Sequence, residues 1–185
     1  MLNDSLLPIT AAILCDDEVL IEGQLQPYES KADIINLFRS LKNYFAEVII
    51  ITANPKKYED IGVDVVRELL PNRGPLGSIV SSLLVASFDY IFVLPSTTKI
   101  FNKSLIDDFV SKISDIDILF LSVNNSIEPK FAIYAKESLN YLEEALFNSS
   151  VTLNSIYELC AKNLKIDTIE IKEDILVGSE INNSR

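Results

Sequence analysis

Short apolar runs and longer amphipathic stretches alternate along almost the whole chain. Ile9–Leu14 is a short, mostly apolar run behind Pro8. Ser30 opens a helical pattern with Asp33 at capping-box spacing. Ile34, Leu37, Phe38, Leu41 and Phe45 then recur at intervals of three and four, on one face. Glu47–Ala53 carries the β-branched succession Val48, Ile49, Ile50, Ile51 and predicts a buried strand.

Asn54-Pro55 has the form of a helix start and Gly62 that of its stop. Asp64–Glu68 predicts a short strand and Leu69–Arg73 a loop. Gly74-Pro75-Leu76-Gly77 begins a helix whose core face is Leu76, Ile79, Val80, Leu83 and Leu84. Tyr90–Leu94 and Ile116–Val123 read as buried strands, with a helix from Asn102 to about Ile113 between them. Phe131–Ala135 and Asp167–Ile171 complete the strands, separated by helical patterns over Glu137–Phe147 and Thr152–Asn163. Strands separated by helices imply right-handed βαβ crossovers. The expected fold is one doubly wound α/β domain over residues 1–185, a mainly parallel sheet with helices on both faces.

Composition narrows the chemistry. Acidic residues outnumber basic ones by 27 to 16, a net charge of −11, so neither a nucleic acid nor an anionic membrane is an expected partner. The absence of histidine removes Ser-His and Cys-His nucleophilic pairs and every His-ligated metal site. Cys15 and Cys160 stand far apart in apolar stretches, as buried thiols of a reducing compartment do. No apolar run approaches the roughly 18 residues of a membrane span. The cytoplasm is the expected location.

In such sheets ligands bind beyond the carboxyl ends of the strands, where the strand order reverses. Cys15–Glu22, Ala53–Lys57, Arg67–Ser78 and Pro95–Lys99 are expected to line that edge. Arg73-Gly74-Pro75-Leu76-Gly77-Ser78 is the most informative of these. Gly74 permits a turn at positive φ, and Pro75 starts the helix without wasting an amide. Gly77 would let a flat ligand lie against the backbone, and free amides at the helix end favour an anionic or carbonyl-bearing group. Arg73, Lys99 and Lys103 are the cations expected to reach the cleft. Asp16, Asp17 and Glu18 read as a solvated acidic turn, because neighbouring residues on an extended strand point to opposite faces.

Gly74–Ser78 with the following Ile79–Ala86 resembles the GPLAG-type segment of the MobA family of molybdenum cofactor guanylyltransferases. Tyr90-Ile91-Phe92-Val93-Leu94-Pro95 is similar to that family's apolar strand ending in Pro-Cys-Asp. Glu128-Pro129-Lys130-Phe131-Ala132-Ile133-Tyr134 resembles its later proline and apolar strand. The resemblance spans most of residues 9–171. It implies a Rossmann-like fold of nucleotide-diphospho-sugar-transferase type, with GTP and molybdopterin as substrates and Mg²⁺ as cofactor. It also implies that the base lies against Gly74–Ser78, with Asp17, Glu68 and Thr97 at the catalytic positions.

The chain departs from the family where phosphate and metal would be held. Leu14-Cys15-Asp16-Asp17-Glu18 stands in place of a glycine-rich loop ending in Asp-Lys, and Ser96-Thr97 in place of Cys-Asp. Three carboxylates repel a triphosphate, at about 1 kcal/mol per pair of unit charges ~4 Å apart in water. A threonine hydroxyl is a poorer Mg²⁺ ligand than a carboxylate. Two expectations follow. One is a MobA-like nucleotidyltransferase with degenerate site motifs. The other is a non-catalytic binding or regulatory protein on the same fold.

Overall fold

The computed structural model describes residues 6–15, 19–21, 24–26, 30–71, 73–98, 103–147 and 156–171. The first strand, β1 (Leu7–Leu14), is followed by a small antiparallel hairpin, β2 (Val19–Ile21) and β3 (Gln24–Gln26). Then come α1 (Lys31–Leu41), β4 (Phe45–Thr52), a 3-10 helix at Pro55–Ile61, β5 (Val65–Arg67), α2 (Gly74–Val85) and β6 (Tyr90–Pro95). The second half runs α3 (Lys103–Lys112), β7 (Ile118–Val123), β8 (Ser126–Ala135), α4 (Leu139–Phe147), α5 (Ile156–Cys160) and β9 (Ile166–Ile171). A single 3-10 turn, Lys136–Ser138, joins β8 to α4.

The main sheet has the order β5-β4-β1-β6-β8-β7-β9. The β1–β4, β1–β6, β4–β5 and β7–β9 pairs are parallel. β8 alone runs against both of its neighbours, β6 and β7. From β1 the chain first moves outward to β4 and β5, then returns on the other side of β1 at β6. The strand order therefore reverses between β1 and β6, which locates the crevice expected in a doubly wound sheet.

Helices cover both faces. α1 and α3 pack on one through Ile34, Leu37, Phe38, Leu41, Leu105, Ile106 and Phe109, against Ile13, Ile50, Phe92 and Leu121. α2, α4 and α5 pack on the other through Ile79, Val80, Leu83, Leu142, Ala145 and Ile156, against Ala12, Ile51, Val93 and Phe120. Burial on both faces explains the unbroken apolar runs of the central strands. Ser30 caps α1 as its spacing predicts: its Oγ accepts from the Asp33 amide at 3.2 Å and donates to the Asp33 carboxylate at 2.7 Å.

Several boundaries differ from the sequence expectation. Phe45 opens β4 instead of ending α1, yet stays in the same apolar cluster. The segment after Asn54 is a 3-10 helix without a side-chain cap, closed by Gly62 at φ 68°. Leu84 is exposed, so the buried face of α2 ends at Leu83. β8 begins five residues before Phe131, in a hairpin with β7. Its turn residues, Asn124 and Asn125, sit at φ 51° and 63°, the left-handed conformation that suits a two-residue hairpin. Asn102 and residues 152–155, which were expected to start helices, lie outside the described residues.

Candidate functional site

At the reversal point the backbone ladder runs one residue past β1 and β6. The Cys15 amide donates to the Ile51 carbonyl at 2.9 Å, and the Ser96 amide to the Leu14 carbonyl at 3.0 Å. Thr98 then folds back, its amide and hydroxyl both donating to the Pro95 carbonyl at 3.1 and 2.7 Å. Thr97 sits half-exposed on this turn. Thr52, Cys15 and Ser96 are buried side by side at the ends of β4, β1 and β6. By strand alternation they lie on the α1/α3 face, two residues beyond Ile50, Ile13 and Leu94.

The loop after β5 delivers a second group of residues to the same edge. Glu68 is buried, at 8% exposure, and its carboxylate accepts the Ser78 hydroxyl at 3.1 Å. The Leu69 amide donates to Ser81 Oγ at 2.9 Å. The loop therefore lies directly on the first turns of α2, a position where the helix dipole favours a carboxylate. Gly74 adopts φ +60° and Pro75 follows in the first turn. Leu76 is buried against the sheet. Arg73 is exposed, its guanidinium 5.7 Å from the ring centroid of Phe147 at the end of α4.

Gly77 has a different neighbour from the one its sequence context suggests. A Cβ there would come within 2.5 Å of the Leu70 carbonyl, 2.8 Å of the Glu68 carboxylate and 2.9 Å of Arg73 Cβ. The chain's own loop, and not a flat ligand, uses the missing side chain. Glu68, Arg73, Gly74, Pro75, Leu76, Gly77 and Ser78 thus form one unit. Thr97 reaches the same edge from β6. Asp17 and Lys99 lie outside the described residues.

A feature of β8 escaped the sequence reading. Phe120 pairs with Ala132, but the next residue, Leu121, pairs with Glu128. Pro129, Lys130 and Phe131 are therefore extruded from the β7–β8 ladder. The fully buried Tyr134 clamps the extrusion, its hydroxyl donating to the Pro129 carbonyl at 2.7 Å. The available signal was the proline itself, which within a sheet marks an edge or a bulge. Burial pushes the Glu128 carboxyl above its ordinary range, against the opposing charge of Lys130.

Mg²⁺ requires several hard oxygen donors. Among the described residues no three carboxylates or thiols are grouped to hold a metal. The β6 turn offers hydroxyls, and Glu68 is engaged with Ser78. The described residues do not fit the ion.

A strand order reversing at β1/β6, with a Gly-Pro helix start at the same edge, places the chain among the doubly wound, Rossmann-like α/β domains. Residues 24–163 match the MobA-like NTP transferase domain, and the chain belongs to that family. A probable molybdenum cofactor guanylyltransferase of Clostridium perfringens is 31% identical over 135 residues, covering 73% of this chain and 66% of the relative. The chain thus spans about two thirds of the length of the curated relatives it matches. Among solved structures, a protein of Aquifex aeolicus superposes with TM-score 0.74 at 18% identity, over 92% of each chain. Molybdopterin-guanine dinucleotide biosynthesis protein A of Archaeoglobus fulgidus gives TM-score 0.62 at 14% identity, over 87% of this chain and 83% of that one. No helix among the described residues is long and apolar enough to cross a membrane.

Proposed function

We propose that this protein binds GTP at the carboxyl edge of β1 and β6 and acts in molybdenum cofactor guanylylation. The observation that carries the reading is the placement of the Gly74–Ser78 helix start at the edge where the strand order reverses. In the reaction a molybdopterin phosphate oxygen attacks the α-phosphorus of GTP, forming the new P–O bond as pyrophosphate leaves. Within it, Glu68 and Ser78 fix the loop over α2, and Arg73 supplies positive charge beside the cleft. Thr97, on the turn after β6, offers a hydroxyl to the ligand. Phosphate binding through Lys99 and Asp17 belongs to the same proposal. So does a cytoplasmic location, supported by the two buried cysteines, which form no disulfide with each other.

A second reading is favoured by a specific observation. Ser96 and Thr97 close β6 without a carboxylate, and the described residues hold no metal cluster. On that reading the cleft binds a nucleotide without transferring it. Thermal unfolding with millimolar GTP, with and without Mg²⁺, against ATP, CTP and pterin, tests both. Ligand at about 100 times its Kd stabilises by roughly 2.7 kcal/mol, a rise of roughly 5–10 °C for a chain of this size. A GTP-selective rise with dinucleotide formation from molybdopterin supports the transferase. The same rise without product supports the binding protein. No rise with any nucleotide overturns both.

A further inference from the structure

We infer that Lys112 and Asp167 form a clasp that holds the outer edge of β9 closed to strand pairing with a second copy of this chain. The inference goes beyond the nucleotide reading and does not depend on it.

The sheet ends in β5 on one side and β9 on the other. β9 is the longer edge, six residues against three. A free strand edge presents unpaired N–H and C=O groups, a template for another chain. The odd-numbered positions of this strand face β7, as the Lys165 carbonyl shows by accepting from the Asp117 amide at 2.8 Å. Backbone direction alternates along a strand, so Ile166, Thr168 and Glu170 turn their amides and carbonyls outward. Thr168 is the centre of that row.

Both outward groups of Thr168 are taken by side chains. Its amide donates to Asp167 Oδ1 at 2.8 Å. Its carbonyl accepts from Lys112 Nζ, in the last turn of α3, at 3.2 Å. The two side chains close on each other, with Lys112 Nζ 3.3 Å from Asp167 Oδ2. Asp167 can meet both because it stands opposite Leu119, on the α1/α3 face of the sheet. Glu170 gives the edge no such cover. Its carboxylate turns inward to Ser122 and the Asn125 amide, at the β7–β8 turn.

The blocked position points to the occupant. A second β9 laid antiparallel about a two-fold axis at Thr168 puts Thr168 opposite its own copy. Ile166 then stands opposite Glu170 of the second copy, and Asp167 opposite Ile169. No like charges meet, and like charges directly opposite would oppose pairing. The register is self-complementary, so it closes as a dimer instead of growing into a fibre. Its central pair exchanges both N–H···O bonds between the two Thr168 residues. Those are the two groups that the clasp occupies, so clasp and dimer exclude each other.

Sedimentation velocity of the full chain across a concentration series, with Lys112→Ala and Asp167→Ala, tests this. The wild type should run as a monomer and each variant should associate to twice the chain mass. An exposed ion pair biases its own equilibrium only a few-fold, but both copies must release a clasp, so dimerisation should tighten about tenfold. Hydrogen exchange locates the contact: the Ile166 and Glu170 amides should slow as the variants associate. Both substituted side chains are about half exposed, circular dichroism verifies the fold, and either variant alone carries the test. Folded variants that stay monomeric overturn the inference. So does a wild type that associates as strongly as they do, or a dimer whose β9 amides exchange at the monomer rate.

Discussion

The Ser78 hydroxyl, in the first turn of α2, donates to the buried Glu68 carboxylate across 3.1 Å. That bond ties the loop after β5 to the helix it feeds. Glu68→Ala should remove it together with a favourable charge at a helix start, lowering stability by about 2 kcal/mol. The corresponding fall in Tm is roughly 4–8 °C. Differential scanning calorimetry checks it; an unchanged Tm would show that the loop does not depend on the contact.

Gly77→Ala should be costly for a steric reason. The new methyl would meet a backbone carbonyl at 2.5 Å, which yields only if the Glu68–Arg73 loop shifts. We expect a loss of about 2 kcal/mol in urea unfolding. Gly62 is the control: a Cβ there meets nothing within 4 Å, but φ is +68°. Gly62→Ala should cost about 1 kcal/mol from backbone strain alone. Equal losses at the two sites would contradict the packing argument.

Acid should weaken the amino-terminal edge of the sheet through Glu47. Partial burial opposes ionisation there, but bonds from Thr10 and Ser87 and the Lys136 charge prevail, holding the carboxyl below its ordinary 4.5. The folded pKa is depressed, so the stabilisation is present above the ordinary value and is lost as pH falls through the folded one. Glu47→Gln should therefore lie below the wild type in Tm at neutral pH, and the two should converge as the pH falls from the ordinary 4.5 through the depressed folded value. Parallel curves across that range would contradict the assignment.

Cys160 is fully buried, and that burial raises its thiol to about 11. Thiolate is the reactive form. Iodoacetamide at pH 8 should leave Cys160 unmodified in the native protein and alkylate it in urea, as read by peptide mass. Native labelling at Cys160 would mean that α5 opens readily.

Much of the architecture was legible because it follows from periodicity. The β-branched run Val48–Ile51 and the apolar run Tyr90–Leu94 both became central strands. Ser30 and Gly62 acted as the cap and stop that their chemistry predicts. The Gly74–Ser78 segment was legible as a special helix start, though not what covers it. Whether a glycine faces a ligand or its own chain depends on a loop path that spacing does not encode. The reversed direction of β8 was not legible either. Its hairpin turn uses two asparagines instead of glycine, and its middle carries a proline. Both obscure a ten-residue strand.

That one backward strand also decides what α4 can touch. β8 finishes beside the start of β6, so the helix that follows must climb back toward the carboxyl edge of the parallel strands, antiparallel to α2. A parallel strand in the same slot would have sent the helix the other way and left Phe147 at the far end of the molecule. Instead its ring comes to rest beneath the Arg73 guanidinium. A cation at the carboxyl edge of the sheet is braced by a residue from the opposite half of the chain. Shortening α4 by its last turn would therefore be felt at Arg73, on the carboxyl edge of the sheet, although none of the removed residues belongs to the Gly74–Ser78 segment.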